Sequence, residues 1–132
     1  MKEITKLMIS EFKIKKLGYD FMGYNLQKGD IYTFHHLIIP NRHGGPITRE
    51  NGAILCGGSS HPYLHLIEYI DKEIFYRITS EMIDQNIKGR LDIENLRKIR
   101  YLLEYFEREH CNDRGKKGKL LIKEEYLKRN KF

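Results

Sequence analysis

The sequence predicts an α+β domain of short strands and amphipathic helices, and three observations carry this. Residues 31–39 and 52–56 are short β-rich or apolar runs bounded by Gly and Pro. An apolar-periodic stretch starts at about residue 61, and a second, with three- and four-residue spacing, covers about 92–110. At 132 residues and 40% apolar content, the chain suits one domain over 1–112, with a basic tail at 113–132.

Taken in order, residues 3–17 read two ways. Ile4, Leu7, Met8 and Phe12 have helical spacing, whereas FKIKKL alternates like a strand. GYDFMGYNLQKGD reads as turns and short strands, with Tyr19, Phe21 and Tyr24 as packing residues. The strand over 31–39 ends at Pro40. NRHGGPITRE is a loop broken by Gly44-Gly45 and Pro46, and GAILC is the second strand. Ser60 can cap the helix from about 61, with Pro62 in its first turn and a break near Asp71. Residues 80–91 read as a polar turn. Asp92 can cap the last helix, whose apolar face is Ile93, Leu96, Ile99, Leu103 and Phe106. A linker at 112–119 and a short helical segment, LLIKEEYLKR, follow.

Composition excludes several classes. No run of about 18 apolar residues exists, so no membrane span is expected. The N-terminus has charges among its apolar positions and no signal-peptide core. Two cysteines, Cys56 and Cys111, make neither a disulfide framework nor a four-cysteine zinc ribbon. A cytoplasmic, reducing setting is the expectation. The net charge is +6, and residues 113–132 hold +5 of it, with eight basic against three acidic side chains. Such a tail suits a polyanion such as nucleic acid, or merely keeps the chain soluble.

Residues 32–68 concentrate the chemistry: they hold His35, His36, His43, His61 and His65, five of the six histidines. His61 and His65, four apart on a helix, turn both imidazoles to one face, a common two-ligand arrangement. His35 and His36, adjacent on a strand, point to opposite faces. One can bind a metal while the other does something else. Phosphodiester cleavage needs a water activated near neutral pH, which an imidazole can supply, and a cation beside the scissile phosphate. Three imidazoles favour Zn²⁺, Mn²⁺, Ni²⁺ or Co²⁺ over Mg²⁺ on ligand softness.

His-His, Gly-Gly, Asn, a short apolar strand and a helix opening with His together resemble the HNH, or ββα-metal, endonuclease family. The order His35-His36, Gly44-Gly45, Asn51, His61, His65 is closest to its colicin-type DNase branch. The resemblance implies a ββα-metal motif at 32–68 in a metal-dependent endonuclease acting on DNA. It implies His35, His61 and His65 as ligands of a divalent metal and His36 as general base. Asn51 would hold the loop and orient His36 by hydrogen bonding. Arg42, His43 and Arg49 match no fixed family position. On charge and place they are candidate nucleic-acid contacts, as are Lys116, Lys117 and Lys119 in the tail. Many relatives carry two Cys-x-x-Cys pairs. Here Cys56 has no partner nearby, so no structural zinc is expected and Cys56 is a small core residue. Double-stranded DNA is the expected partner; a double-strand break would take a homodimer or two successive nicks, and specificity would come from the N-terminal half or a protein partner. Phages, mobile elements and defence systems all hold small proteins of this kind. An RNA-cleaving nuclease, a non-catalytic or inhibitory nucleic-acid-binding protein on the same frame, and a histidine-bound structural metal site are the alternatives.

Overall fold

A computed structural model describes residues 2–110. Their architecture is α+β: five α-helices and one two-stranded antiparallel sheet. The helical spacing of the first segment prevails over its strand-like end. Helix α1 spans Glu3–Glu11 and buries Met8 and Ile9. Lys13, in the left-handed region, separates it from the one-turn α2 (Ile14–Leu17). Strands β1 (Tyr32–His36) and β2 (Gly52–Cys56) pair from Tyr32↔Cys56 to His36↔Gly52. Helices α3 (Ser60–Ile70), α4 (Lys72–Lys88) and α5 (Ile93–His110) follow. Every residue of β2 is buried, and α1, α3 and α4 all touch it. One apolar cluster holds Phe12, Phe21, Tyr24, Ile54, Leu64 and Phe106 together. Among the described residues, no helix is long and apolar enough to cross a membrane.

Three boundaries and one face residue differ from the sequence reading, the boundaries for polar reasons. Strand β1 stops at His36 rather than continuing to residue 39. The Asn51 side-chain oxygen accepts from the Ile38 and Ile39 amides at 2.9 and 2.8 Å, removing them from any ladder. Helix α3 begins at Ser60, so Ser60 is not its cap; its hydroxyl is used by Asp20. The expected turn over 80–91 is instead helix as far as Lys88. Its polar residues Gln85 and Asn86 are buried clamps: Gln85 donates to the Phe21 carbonyl, and Asn86 donates to those of Arg49 and Gly52. Ile93, read as part of the α5 apolar face, is exposed. The break at Asp71 and the α5 cap hold: Asp71 accepts from Ile74 N, and Asp92 from Asn95 N. The expected linker and short helix beyond 110 lie outside the described residues.

A carboxylate buried in the loop after α2 joins these parts. Asp20 accepts at one oxygen from Met22 N and Tyr24 N (2.9 and 3.0 Å). At the other it accepts from Cys56 N at 3.0 Å and Ser60 Oγ at 2.5 Å. It thereby ties the loop to the end of β2 and the start of α3. Cys56 is buried in the core, where burial pushes its thiol far above the ordinary range. All four groups facing Asp20 are donors. Asp20→Ala should cost about 3 kcal/mol in urea unfolding, since it strands buried donors. Asp20→Asn should rescue little of it, because its amide N–H must face a donor on either side.

Candidate metal centre

The antiparallel pair sets the first ligand. Alternation along β1 turns Thr33 and His35 to the face that receives α3. Helix α3 then brings His61 beside Thr33, and His65, one turn on, beside His35. The ring centroids lie 5.1 Å (His35–His61), 5.2 Å (His35–His65) and 4.8 Å (His61–His65) apart. Each residue offers a nitrogen within 4.8 Å of the others'. His35 Nδ1 and His61 Nε2 are 3.2 Å apart. Two imidazole nitrogens on one tetrahedral ion at 2.0–2.1 Å would sit roughly 3.3–3.4 Å apart. The three histidines are therefore close enough to hold a metal ion.

Two neighbours orient the ligands. The Thr33 hydroxyl donates to the Leu55 carbonyl at 3.0 Å, which uses its one hydrogen. Its 2.7 Å contact to His61 Nδ1 must then be an acceptance from Nδ1–H. The lone pair of His61 is thereby left on Nε2, facing His35. On the solvent side, Glu68 takes the Nδ1 edge of His65 at 3.1 Å and leaves Nε2 available. Neither Thr33 nor Glu68 was singled out from sequence. The signals were present: Thr33 is two before His35 on the same strand face, and Glu68 is three after His65 on the helix.

Electrostatics suit metal ligation. Burial pushes the His35 imidazolium down to about 3, helped by the nearby His61, His65 and His36. Burial likewise pulls His61 down to about 4, with His65 and His36 adding to it. Both are therefore neutral at physiological pH, the form that binds metal. Accessibility is graded, from buried His35 to His65 with its side chain 52% exposed. The histidines line one wall of a cleft of about 510 Å³. His35 Nε2 and the hydroxyl of Thr79, another lining residue, are buried without a hydrogen-bond partner among the described residues.

His36 lines the same cleft from the end of β1. Its ring stands edge-on to Phe34 at 5.0 Å. Phe34 in turn lies over Gly52, where a Cβ would come within 2.2 Å of the ring. The His36 Nε2 is enclosed and without a hydrogen-bond partner among the described residues. Asn51 holds the loop as expected but does not orient His36. Its amide binds Ile38 N, Ile39 N, Ile39 O and Pro46 O. Gly44-Gly45 serves the same loop: Gly44 has φ 75°, and a Cβ on Gly45 would meet the Ile39 carbonyl oxygen at 1.9 Å.

Of the loop cations, Arg42 is exposed and lines the cleft, whereas His43 is exposed outside its lining. Arg49 is committed elsewhere. Its guanidinium grips Glu11 at 2.6–3.1 Å, donates to Asn86 Oδ1 at 2.7 Å and lies over the Phe12 ring. A residue so engaged ties the loop to α1 and α4 and is not a free phosphate contact. Lys116, Lys117 and Lys119 lie outside the described residues. No family model, curated protein or solved structure matches the chain. Its site is therefore read from its own geometry.

Two outcomes are expected. In a Co²⁺ titration followed by visible absorption, His61→Ala and His65→Ala should abolish tight binding. Thr33→Val should weaken it about 10–100-fold, as loss of an orienting partner does. EDTA should leave the protein folded, because the core does not pass through the three imidazoles. The second outcome concerns acid. Unfolded histidine titrates near 6.5, so between there and about 4 the unfolded chain binds up to two more protons at His35 and His61. Asp20 opposes this with one proton: burial raises its carboxyl from 3.8 to about 6, so the folded state gains a proton there. The urea midpoint of the metal-free protein should therefore fall from pH 7 to pH 5, and His61→Gln should reduce that fall.

Proposed function

We propose that the chain is a metal-dependent endonuclease of the HNH, ββα-metal type that hydrolyses phosphodiester bonds in DNA. One observation carries the reading. Three convergent imidazoles on a strand–strand–helix unit share a cleft with a fourth, His36, that is not one of them. A structural metal site has no use for that fourth imidazole.

In this reading His35, His61 and His65 would hold a divalent ion, and Thr33 and Glu68 keep two of them in register. Neutral nitrogen donors favour Zn²⁺, Mn²⁺, Ni²⁺ or Co²⁺ over Mg²⁺. When bound, the cation supplies charge stabilisation at the leaving oxygen. His36 takes the proton from the attacking water. With Nε2 enclosed, it works through Nδ1. Phe34, seated in the space left by Gly52, holds the ring. Arg42 supplies a charge for the phosphate.

Supercoiled plasmid incubated with each of these ions should pass to the open-circle or linear form, and EDTA should stop it. His36→Ala should lower the rate at least about 10²-fold while leaving Co²⁺ binding and DNA binding nearly unchanged. A folded protein that binds Co²⁺ and cuts no DNA with any ion would refute the reading.

A further inference from the structure

The cleft has a rim that the proton chemistry does not use. Tyr76 stands at it, 63% exposed. Its ring contacts Phe75 edge-on at 5.5 Å. Phe75 is buried, and its ring is 6.5 Å from that of His35. Tyr76 is thus two ring contacts from the histidine cluster, in the second turn of the 17-residue α4. Ile38, 59% exposed, and Pro40 also line the cleft. The charges there are few. Arg42 is the one lysine or arginine among the described lining residues, and Glu68 is an acid that lines the same cleft.

Arg42 can take a phosphate of either a duplex or a single strand, so the group that discriminates is the exposed aromatic ring. A paired base turns its faces to its neighbours in the stack, not to a side chain. An unpaired base offers a π-face, and stacking on an aromatic ring contributes about 1–3 kcal/mol whatever the base. We infer that the cleft takes an unpaired DNA strand, with Tyr76 as the platform for the base next to the scissile phosphate. This rests on the phosphodiesterase reading above and narrows its substrate. The expected duplex then serves where it is opened, at a loop, an end or an unwound stretch.

The test is equilibrium binding by fluorescence anisotropy, with the full chain in EDTA at one salt concentration. The probes are a labelled single strand and its blunt duplex. The single strand should bind about tenfold tighter than the duplex. Tyr76→Ala should remove about tenfold of single-strand affinity with little change for the duplex, and Tyr76→Phe should restore it. Equal or tighter duplex binding, no measurable single-strand binding, or an unchanged single-strand affinity in Tyr76→Ala would each overturn the inference. Because EDTA removes the chemistry, these results are independent of the plasmid assay. A protein that cuts without this preference refutes only the inference, and one that shows the preference without cutting refutes only the nuclease reading.

Discussion

The buried carboxylate of Asp20 is the constraint on which the geometry of the site depends. A charge in the core is tolerated only where it is well hydrogen-bonded. Here the bonds come from three places at once: its own loop, the last residue of β2 and the first residue of α3. Satisfying Asp20 therefore fixes where α3 starts relative to β2, and His61 is the next residue. The direction of α3 then decides where His65 falls. A shift of one residue would rotate both imidazoles away from β1 by about 100°. The same carboxylate gains stability as it protonates, since burial holds it up to about 6. Near neutral pH it carries a desolvation cost that the core must offset. The chain keeps a costly group where a helix must begin at one residue and no other.

Two further polar groups do for the loop what Asp20 does for the helix. Arg49 binds the loop to α1 through Glu11 and to α4 through Asn86, whose amide also holds the Gly52 carbonyl at the head of β2. Asn51 closes the loop on itself. A long irregular segment beside a cleft is expected to be mobile unless its backbone groups are taken up. Here many are, mostly within the loop by its own backbone and by the Asn51 amide, with Asn86 reaching the Arg49 carbonyl from α4. Thr33 and Glu68 extend the same logic to the ligands, each holding the far edge of an imidazole.

What the sequence made legible follows from this. The i,i+4 pair His61 and His65, the alternation at His35-His36, the second strand and the α5 cap at Asp92 are all local patterns, and local patterns can be read. The Gly-Gly pair was read as a breaker, which is true of Gly44; Gly45 is needed for a backbone approach that no local rule reveals. The misreadings share one cause. Gln85 and Asn86 look like turn residues because polarity suggests exposure, and Asp20 carries no local sign of its burial. Each has a partner 34 or more positions away, which draws it into the interior. Arg49 reads as a phosphate contact on charge alone, and its true partner, Glu11, is 38 positions off. Those pairings exist only in three dimensions.

One strand supplies both a candidate ligand and a candidate base, although adjacent strand residues face opposite ways. The end of the ladder resolves this. By composition β1 would run on to residue 39. Instead Asn51 captures the amides of Ile38 and Ile39, and the pairing stops at His36↔Gly52. Beyond that point the chain turns away, and the cleft wraps around the end of the strand. His35 enters it from one face and His36 from the other. Asn51 therefore matters to His36 without touching it. It acts through where the strand ends, and that arrangement gives two neighbouring histidines different environments: one shut in with two other imidazoles, the other lodged against Phe34.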